Sequence, residues 1–233
     1  MRPHLLLLAF VVALGGCAAL DLKRPVNEED LGKLHKVGVV SLLGDTFYGN
    51  SIGTTVFTNT YFTAPVPDWD IDGYAAARAV AILKEAGHSQ AELVSHPNLR
   101  AEQLSANKAQ LVWELAERQG FDTLIVLSPG VSENYPMFRP GYGFMERSFL
   151  GMSRRCVYAA YTVDAYNVAA HKHIAWEWGG EMPCRMGSEQ QLTFRDKFED
   201  YPEADKALMR KALEDRIAET LRYALGKLAL APQ

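Results

Sequence analysis

Three aspartates at alternate positions have the spacing of a metal site. Asp68, Asp70 and Asp72 are followed by Gly73, which is how a calcium-binding loop begins. The twelfth position of such a loop supplies a bidentate glutamate, and here it is Ala79. The alternative needs no metal, because an aspartate before a helix accepts hydrogen bonds from the first N–H groups and its charge suits the helix dipole. We favour helix capping and keep these aspartates as weak metal candidates.

His171 and His173 are a second weak candidate. Two imidazoles in or beside a turn could supply half of a zinc or copper site. The sequence shows no third ligand near them, so a solvated hairpin end is the favoured interpretation. We therefore expect no metal and no cofactor.

The amino-terminal residues have the layout of an export signal. Arg2 precedes a continuous apolar run from Leu5 to Leu14, which at about 10 residues is too short to span a bilayer as a helix. Gly15, Gly16 and Cys17 follow. The segment Leu14-Gly15-Gly16-Cys17 resembles the lipobox of bacterial lipoproteins. The alternative is an ordinary signal peptide with an incidental cysteine near its end.

The lipobox resemblance implies a location in the cell envelope. Residues 1–16 would be removed as a signal peptide, and Cys17 would carry the acyl chains, such as palmitate, that hold the protein on a membrane. Ala18 follows the cysteine, where an aspartate would resemble the inner-membrane retention signal. We therefore expect the inner leaflet of an outer membrane, facing the periplasm. Residues 17–35 are predicted to form a lipidated tether, and residues 36–230 a single periplasmic domain.

Cys156 and Cys184 form a candidate disulfide, since export to an oxidising compartment favours pairing. An antiparallel hairpin that turns about Ala170 pairs positions whose numbers sum to 340, and 156 + 184 = 340. The same register places Trp176 and Trp178 on a less apolar face of the preceding strand. The conflict leaves three possibilities: a bulge, a sheet covered on both faces, or a different pairing.

Residues Ser128 to Gly151 have the composition of a long irregular connection. Three prolines and four glycines lie in this segment, and connections of more than about 15 residues without regular structure are usually functional or disordered. Either the aromatic side chains bind a partner, or they fold back as part of the core. The partner-binding candidates are Tyr135, Phe138, Arg139, Tyr142, Phe144, Arg147 and Phe149.

Enzyme signatures are missing from the sequence. It contains no Gly-x-Ser-x-Gly, no His-Glu-x-x-His, no phosphate-binding loop and no dinucleotide fingerprint. A net charge of −4 gives no reason to expect nucleic acid as a target. The sequence thus favours a non-catalytic protein, and an envelope hydrolase with an acidic site near Asp45 or Asp68–Asp72 is the alternative.

Strand and helix patterns predict an α/β (α+β) fold. We expect a single mixed sheet of about five or six strands covered by three helices, with a C-terminal antiparallel hairpin and a closing helix. The dipeptide Gly49-Asn50 is typical of a tight turn, so the first two strands are predicted to form a hairpin. The predicted strands cover 36–43, 52–62, 91–95, 121–127, 155–166 and 173–178. The predicted helices cover 68–86, a stretch from 99 or 106 to 119, and a segment that begins at Pro202 and extends to Leu228.

An amphipathic helix followed by Gly120-Phe121-Asp122-Thr123-Leu124-Ile125-Val126 resembles the small α/β domains of envelope lipoproteins. Examples are the curli-secretion lipoprotein, the lipoprotein activator of a penicillin-binding protein, and the amino-terminal domain of the Tol translocation protein. The resemblance is one of topology and transfers no functional residue. It implies a lipid-anchored binding or assembly module that contacts an envelope protein or a second copy of itself.

Overall fold

The computed structural model describes Val26, Glu29 and residues 34–94, 110–111, 113–130, 139–150, 152–180 and 191–232. These residues form one mixed sheet of eight strands with three helices, which confirms the predicted fold class with more strands than expected. The strands are β1 (Val37–Ser41), β2 (Thr46–Ile52), β3 (Thr60–Pro65), β4 (Glu92–Leu93), β5 (Thr123–Pro129), β6 (Gly141–Phe149), β7 (Met152–Asn167) and β8 (Lys172–Trp178). The helices are α1 (Ile71–Glu85), α2 (residues 110–111 and 113–119) and α3 (Glu203–Lys227).

The 16-residue strand β7 joins the two halves of the sheet. Residues 152–160 of β7 pair antiparallel with β6, and residues 161–167 pair antiparallel with β5. Next to β5 lies the parallel strand β1, with β4 beyond it, while β6 is followed by the parallel strand β2 and the antiparallel strand β3. The strand β8 also pairs with β7.

The predicted hairpin at Gly49-Asn50 is wrong, because both residues lie inside β2. The hairpin partner of β2 is β3, and the connection between them covers residues 53–59. Gly49 serves close packing instead of a turn, since a Cβ there would lie 1.9 Å from Cε1 of Phe62. Asn50 is buried and donates a hydrogen bond to the Tyr158 hydroxyl at 3.0 Å.

The segment predicted to be irregular contains a strand that the sequence reading missed. Gly141–Phe149 forms β6, with a parallel neighbour on one side and an antiparallel neighbour on the other. Its apolar residues alternate with glycines at Gly141 and Gly143, which lowers the strand signal in the sequence. A Cβ at Gly143 would lie 2.0 Å from the Tyr48 carbonyl oxygen, so this glycine permits the close approach of β2.

Helices cover both faces of the sheet. α1 and α3 pack on one face, where α3 buries residues at helical spacing, namely Met209, Leu213, Ile217, Leu221 and Ala224. Ala75 and Ala79 of α1 are fully buried, as expected for a helix that approaches a sheet closely. α2 packs on the other face, over Leu124 of β5. Within the described part of the chain, no helix combines the length and the apolar character needed to cross a bilayer.

Candidate functional site

Four polar side chains form a hydrogen-bonded row across β5, β7 and β8. The Ser128 hydroxyl lies 3.2 Å from the Thr162 hydroxyl, which donates to Oδ2 of Asp164 at 3.0 Å. Oδ1 of the same carboxylate lies 3.0 Å from Nε2 of His173. Asp164 is only 6% exposed, and buried carboxylates of this kind require partners. The row therefore combines two hydroxyls, one buried carboxylate and one imidazole.

A β-bulge in β8 places His173 in this row. Residues 162–165 of β7 pair with 178–175 of β8, so the predicted register, in which paired numbers sum to 340, is confirmed there. Between Ala165 and Tyr166 the register shifts, and Tyr166 pairs with His173. Because His173 and Trp176 are three residues apart, a regular strand would point them to opposite faces. The extra residue brings both to the face of Asp164, as bulges near functional sites often do.

Aromatic rings surround the polar row. Trp176 lies opposite Asp164, Trp178 lies opposite Thr162, and the two indoles meet edge to face at 5.2 Å. The Tyr166 ring lies 4.7 Å from the His173 ring. Burial raises the pKa of the Tyr166 hydroxyl, and the Asp164 charge raises it further. We call Ser128, Thr162, Asp164, His173, Trp176 and Trp178 the β7–β8 patch.

The order of groups in the β7–β8 patch argues against nucleophilic catalysis. In a catalytic triad the imidazole lies between the hydroxyl and the carboxylate, so that it can accept the hydroxyl proton. Here the carboxylate of Asp164 lies between the Thr162 hydroxyl and the His173 imidazole. Because the Asp164 carboxylate contacts both groups, it fixes the positions of the Thr162 hydroxyl and the His173 imidazole. The geometry suits recognition of a ligand better than activation of Ser128 or Thr162.

The three aspartates of the calcium-like pattern have separate structural roles. Asp70 caps α1, as expected, by accepting a hydrogen bond from the Gly73 N–H at 3.2 Å. Asp72 accepts from the Ser41 hydroxyl at 2.6 Å and from the Leu43 and Gly44 N–H groups at 2.7 and 3.0 Å. It therefore holds the connection between β1 and β2 to the helix. Asp68 is exposed, and its carbonyl oxygen lies 3.5 Å from a guanidinium nitrogen of Arg210.

Of the acidic groups suggested for a hydrolase, the Asp70 and Asp72 carboxylates are engaged in these structural contacts. Asp45 is exposed in the connection from β1 to β2, and its carbonyl oxygen accepts the Val66 N–H at 2.7 Å. The Tyr142 hydroxyl donates to the Gly44 carbonyl at 2.8 Å in the same connection. Burial, together with the nearby Asp72 and Asp45 charges, raises the pKa of Tyr142.

The two predicted histidines do not converge on one point. His171 lies at the turn with φ of 49°, and its Nε2 is 3.4 Å from Oε1 of Glu117 on α2. His173 instead contacts Asp164. Among the residues that the structure describes, no group of three or more His, Cys, Asp or Glu side chains could hold a metal ion.

Cys156 is buried in β7, opposite Met145 of β6. Cys17 and Cys184 lie outside the described residues. The pairing of Cys156 with Cys184 thus stays a prediction, although the β7–β8 register on which it depends is the one expected. Past Trp178 the same register continues, since the Gly179 N–H donates to the Tyr161 carbonyl.

The aromatic residues of the 128–151 segment lie in different environments. Tyr142 and Phe144 are fully buried, so they belong to the core, which was the second alternative for this segment. The Arg139 guanidinium lies 5.2 Å from the Tyr61 ring centroid and 5.7 Å from that of Tyr48. Arg147 is exposed at the far end of β6. Tyr135, Phe138 and the side chain of Phe149 lie outside the described residues.

The sequence reading missed Ser128, Thr162 and Asp164 as site residues. A signal was present, because Thr162 and Asp164 are polar residues at alternate positions of the otherwise apolar run from Val157 to Tyr166. Their partner His173 was found only as a metal candidate. Its position beside Asp164 depends on the bulge, which was one of three open possibilities.

The comparisons with known proteins show a distant similarity to solved structures. No protein-family model and no curated protein matches the chain. Among solved structures, it is similar to the PelC dodecamer from Paraburkholderia phytofirmans, with 12% identity and a TM-score of 0.37 over 91% of this chain and 95% of that one. A singly substituted form of the same dodecamer has 12% identity and a TM-score of 0.34 over 84% and 90%. Similarity at this level assigns neither a function nor an assembly to the chain.

Proposed function

We propose that this protein is a lipid-anchored envelope lipoprotein and acts as a non-catalytic binding module. The anchor is Cys17, and the domain faces the periplasm from the inner leaflet of an outer membrane. The export signal and the lipobox-like Leu14-Gly15-Gly16-Cys17 support the location. Two or more acyl chains hold a protein on a membrane stably, so no spanning helix is needed.

The binding surface of the module is the β7–β8 patch, and the observation that carries this assignment is the 3.0 Å contact between Asp164 and His173. The bulge aligns an imidazole with a buried carboxylate and two indoles, and it disrupts the hydrogen bonds between β7 and β8 locally. Such bulges recur beside functional sites. Tryptophan is enriched among residues that dominate protein interfaces. The partner is an envelope protein or a second copy of this chain.

Site-specific photocrosslinking in cells tests this function. A photoreactive residue in place of Trp178 is expected to trap one defined envelope protein or a homodimer. The matched control places the same residue at Tyr223, which is exposed on α3. Asp164→Asn is added to the variant that carries the photoreactive residue at position 178. We expect it to reduce the crosslink, because His173 then loses its charged partner. An absence of any specific product at Trp178 would count against the assignment.

A further inference from the structure

Three large apolar side chains are exposed together at one end of the sheet. Phe57, in the connection from β2 to β3, is 94% exposed, Leu150, in the turn after β6, is 72% exposed, and Met152, the first residue of β7, is 70% exposed. The two loops are neighbours, because β2 pairs with β6 and the Leu150 N–H lies 3.4 Å from the Thr54 hydroxyl. We call residues 53–59, Leu150 and Met152 the distal tip.

Leu150 adopts a left-handed backbone conformation, which is unfavourable for a leucine. Its φ is 48°, in the left-handed region where glycine and asparagine cost least. A bulky side chain in this conformation gains no burial in return, since it points into solvent. Strain at an exposed position is consistent with a requirement for the apolar side chain itself.

The strand ends next to the distal tip are basic within an acidic protein. Residues 51–60 and 146–155 contain three arginines and one glutamate, 3 − 1 = +2, whereas the whole chain carries −4. Glu146 pairs with Arg155. Arg147 and Arg154 lie opposite each other in the β6–β7 ladder and are both exposed. Exposed apolar side chains next to arginines match the chemistry of an anionic lipid surface.

We propose that the distal tip is a membrane-contact site, which inserts Phe57, Leu150 and Met152 into an anionic bilayer while Arg147 and Arg154 contact lipid phosphates. A bilayer fits better than a protein partner because the exposed apolar area is small. The three side chains cover on the order of 500 Å² together, below the roughly 800 Å² that each side of a stable protein interface contributes. Projecting loop tips can enter a fluid lipid surface without a complementary partner shape.

The distal tip lies far from the point where the chain enters the sheet. The chain enters the sheet at Val37, which pairs with Thr123, and Thr123 pairs with Asn167 at one end of β7. Met152 is at the other end, and a strand of 16 residues spans about 50 Å. In combination with the lipid anchor proposed above, a second contact at the tip holds the long axis of the sheet parallel to the membrane.

Fluorescence with the full chain and vesicles of defined composition tests this site. A genetically encoded, environment-sensitive fluorescent amino acid replaces Phe57, and the same residue replaces Tyr223 as a control. We expect quenching by doxyl-labelled lipid at position 57, and not at 223, on vesicles that contain phosphatidylglycerol. Vesicles of phosphatidylcholine alone are expected to give less quenching at position 57. This readout reports the tip itself, so its failure is distinct from a failure of the anchor at Cys17.

Two variants separate the contributions of charge and apolar contact. Arg147→Ala with Arg154→Ala is expected to weaken tip insertion about 30-fold, about fivefold for each arginine. Leu150→Asn removes an apolar group at a position where asparagine suits the backbone, so insertion weakens while the urea midpoint stays the same or rises. Absence of lipid quenching at position 57, equal quenching at 57 and 223, or indifference to both variants would overturn the proposal.

Discussion

His173 and Asp164 face each other at 3.0 Å because β8 contains one extra residue relative to β7. His173→Ala is expected to lower the free energy of unfolding by about 1 kcal/mol, since the buried carboxylate loses a hydrogen-bond partner. In an Asp164→Asn background the same substitution is expected to cost less, because the two residues are coupled. Urea unfolding of the four forms measures the coupling, and strictly additive effects would contradict it.

Asp72 is expected to be the structurally important member of the aspartate triplet. Asp72→Ala removes the acceptor of the Leu43 and Gly44 N–H groups and of the Ser41 hydroxyl. We expect the free energy of unfolding to fall by about 2–3 kcal/mol, because hydrogen bonds to charged groups are stronger than neutral ones. Asp68→Ala, at an exposed position of the same triplet, is the control and should change stability by less than about 0.5 kcal/mol.

Added calcium tests the same triplet independently. With Asp70 and Asp72 engaged in capping and backbone contacts, millimolar calcium is expected to leave the thermal midpoint unchanged. A midpoint that rises with calcium concentration, and no longer does so in Asp70→Ala, would restore the calcium interpretation.

Gly49 is expected to tolerate no side chain while Phe62 is present. A Cβ at this position would lie 1.9 Å from Cε1 of Phe62, so Gly49→Ala should destabilise the protein by about 1–3 kcal/mol. Phe62→Leu removes ring atoms from the same space, and the double variant should recover part of the loss. Equal losses from Gly49→Ala with either residue at 62 would show that the close approach is not the cause.

Stability is expected to fall as the pH rises above 10. Burial raises the pKa of Tyr201 to about 12, from an ordinary value of 10.0. Below pH 10 this tyrosine is neutral in both states, and between pH 10 and 12 the unfolded chain releases its proton first, which favours unfolding. The pKa values of buried Tyr158 and Tyr161 are raised for the same reason and act in the same direction. Urea midpoints measured on either side of the ordinary tyrosine pKa report the loss, and Tyr201→Phe should reduce the slope.

The sequence predicted most of the fold because most elements carry local signals. The predicted helices at 68–86 and from Pro202 to Leu228, and the predicted strand at 121–127, match α1, α3 and β5, because each has a local pattern that needs no tertiary information. β6 was missed because its glycines serve contacts with β2, and such contacts are not visible in a local window. The pairing of β1 and β2 was wrong for a related reason, since Gly49 marks close packing as well as turns.

The site was less predictable than the fold. Asp164 and His173 lie on different strands, and their contact requires both the hairpin and the bulge. The expected register predicted the hairpin. It did not distinguish a bulge from a sheet covered on both faces or from a different pairing. Tyr142 and Phe144 show the reverse case, because an aromatic composition alone does not separate core residues from binding residues.

Mass spectrometry of the amino terminus tests the central claim, that this protein works from a lipid anchor outside the cytoplasm. Protein extracted from cell membranes is expected to begin at Cys17, with the mass of a diacylglycerol on the sulfur and a further acyl chain on the amine. Cys17→Ser should leave residues 1–16 attached and abolish the lipid mass. An intact, unacylated amino terminus in the native protein would contradict the account.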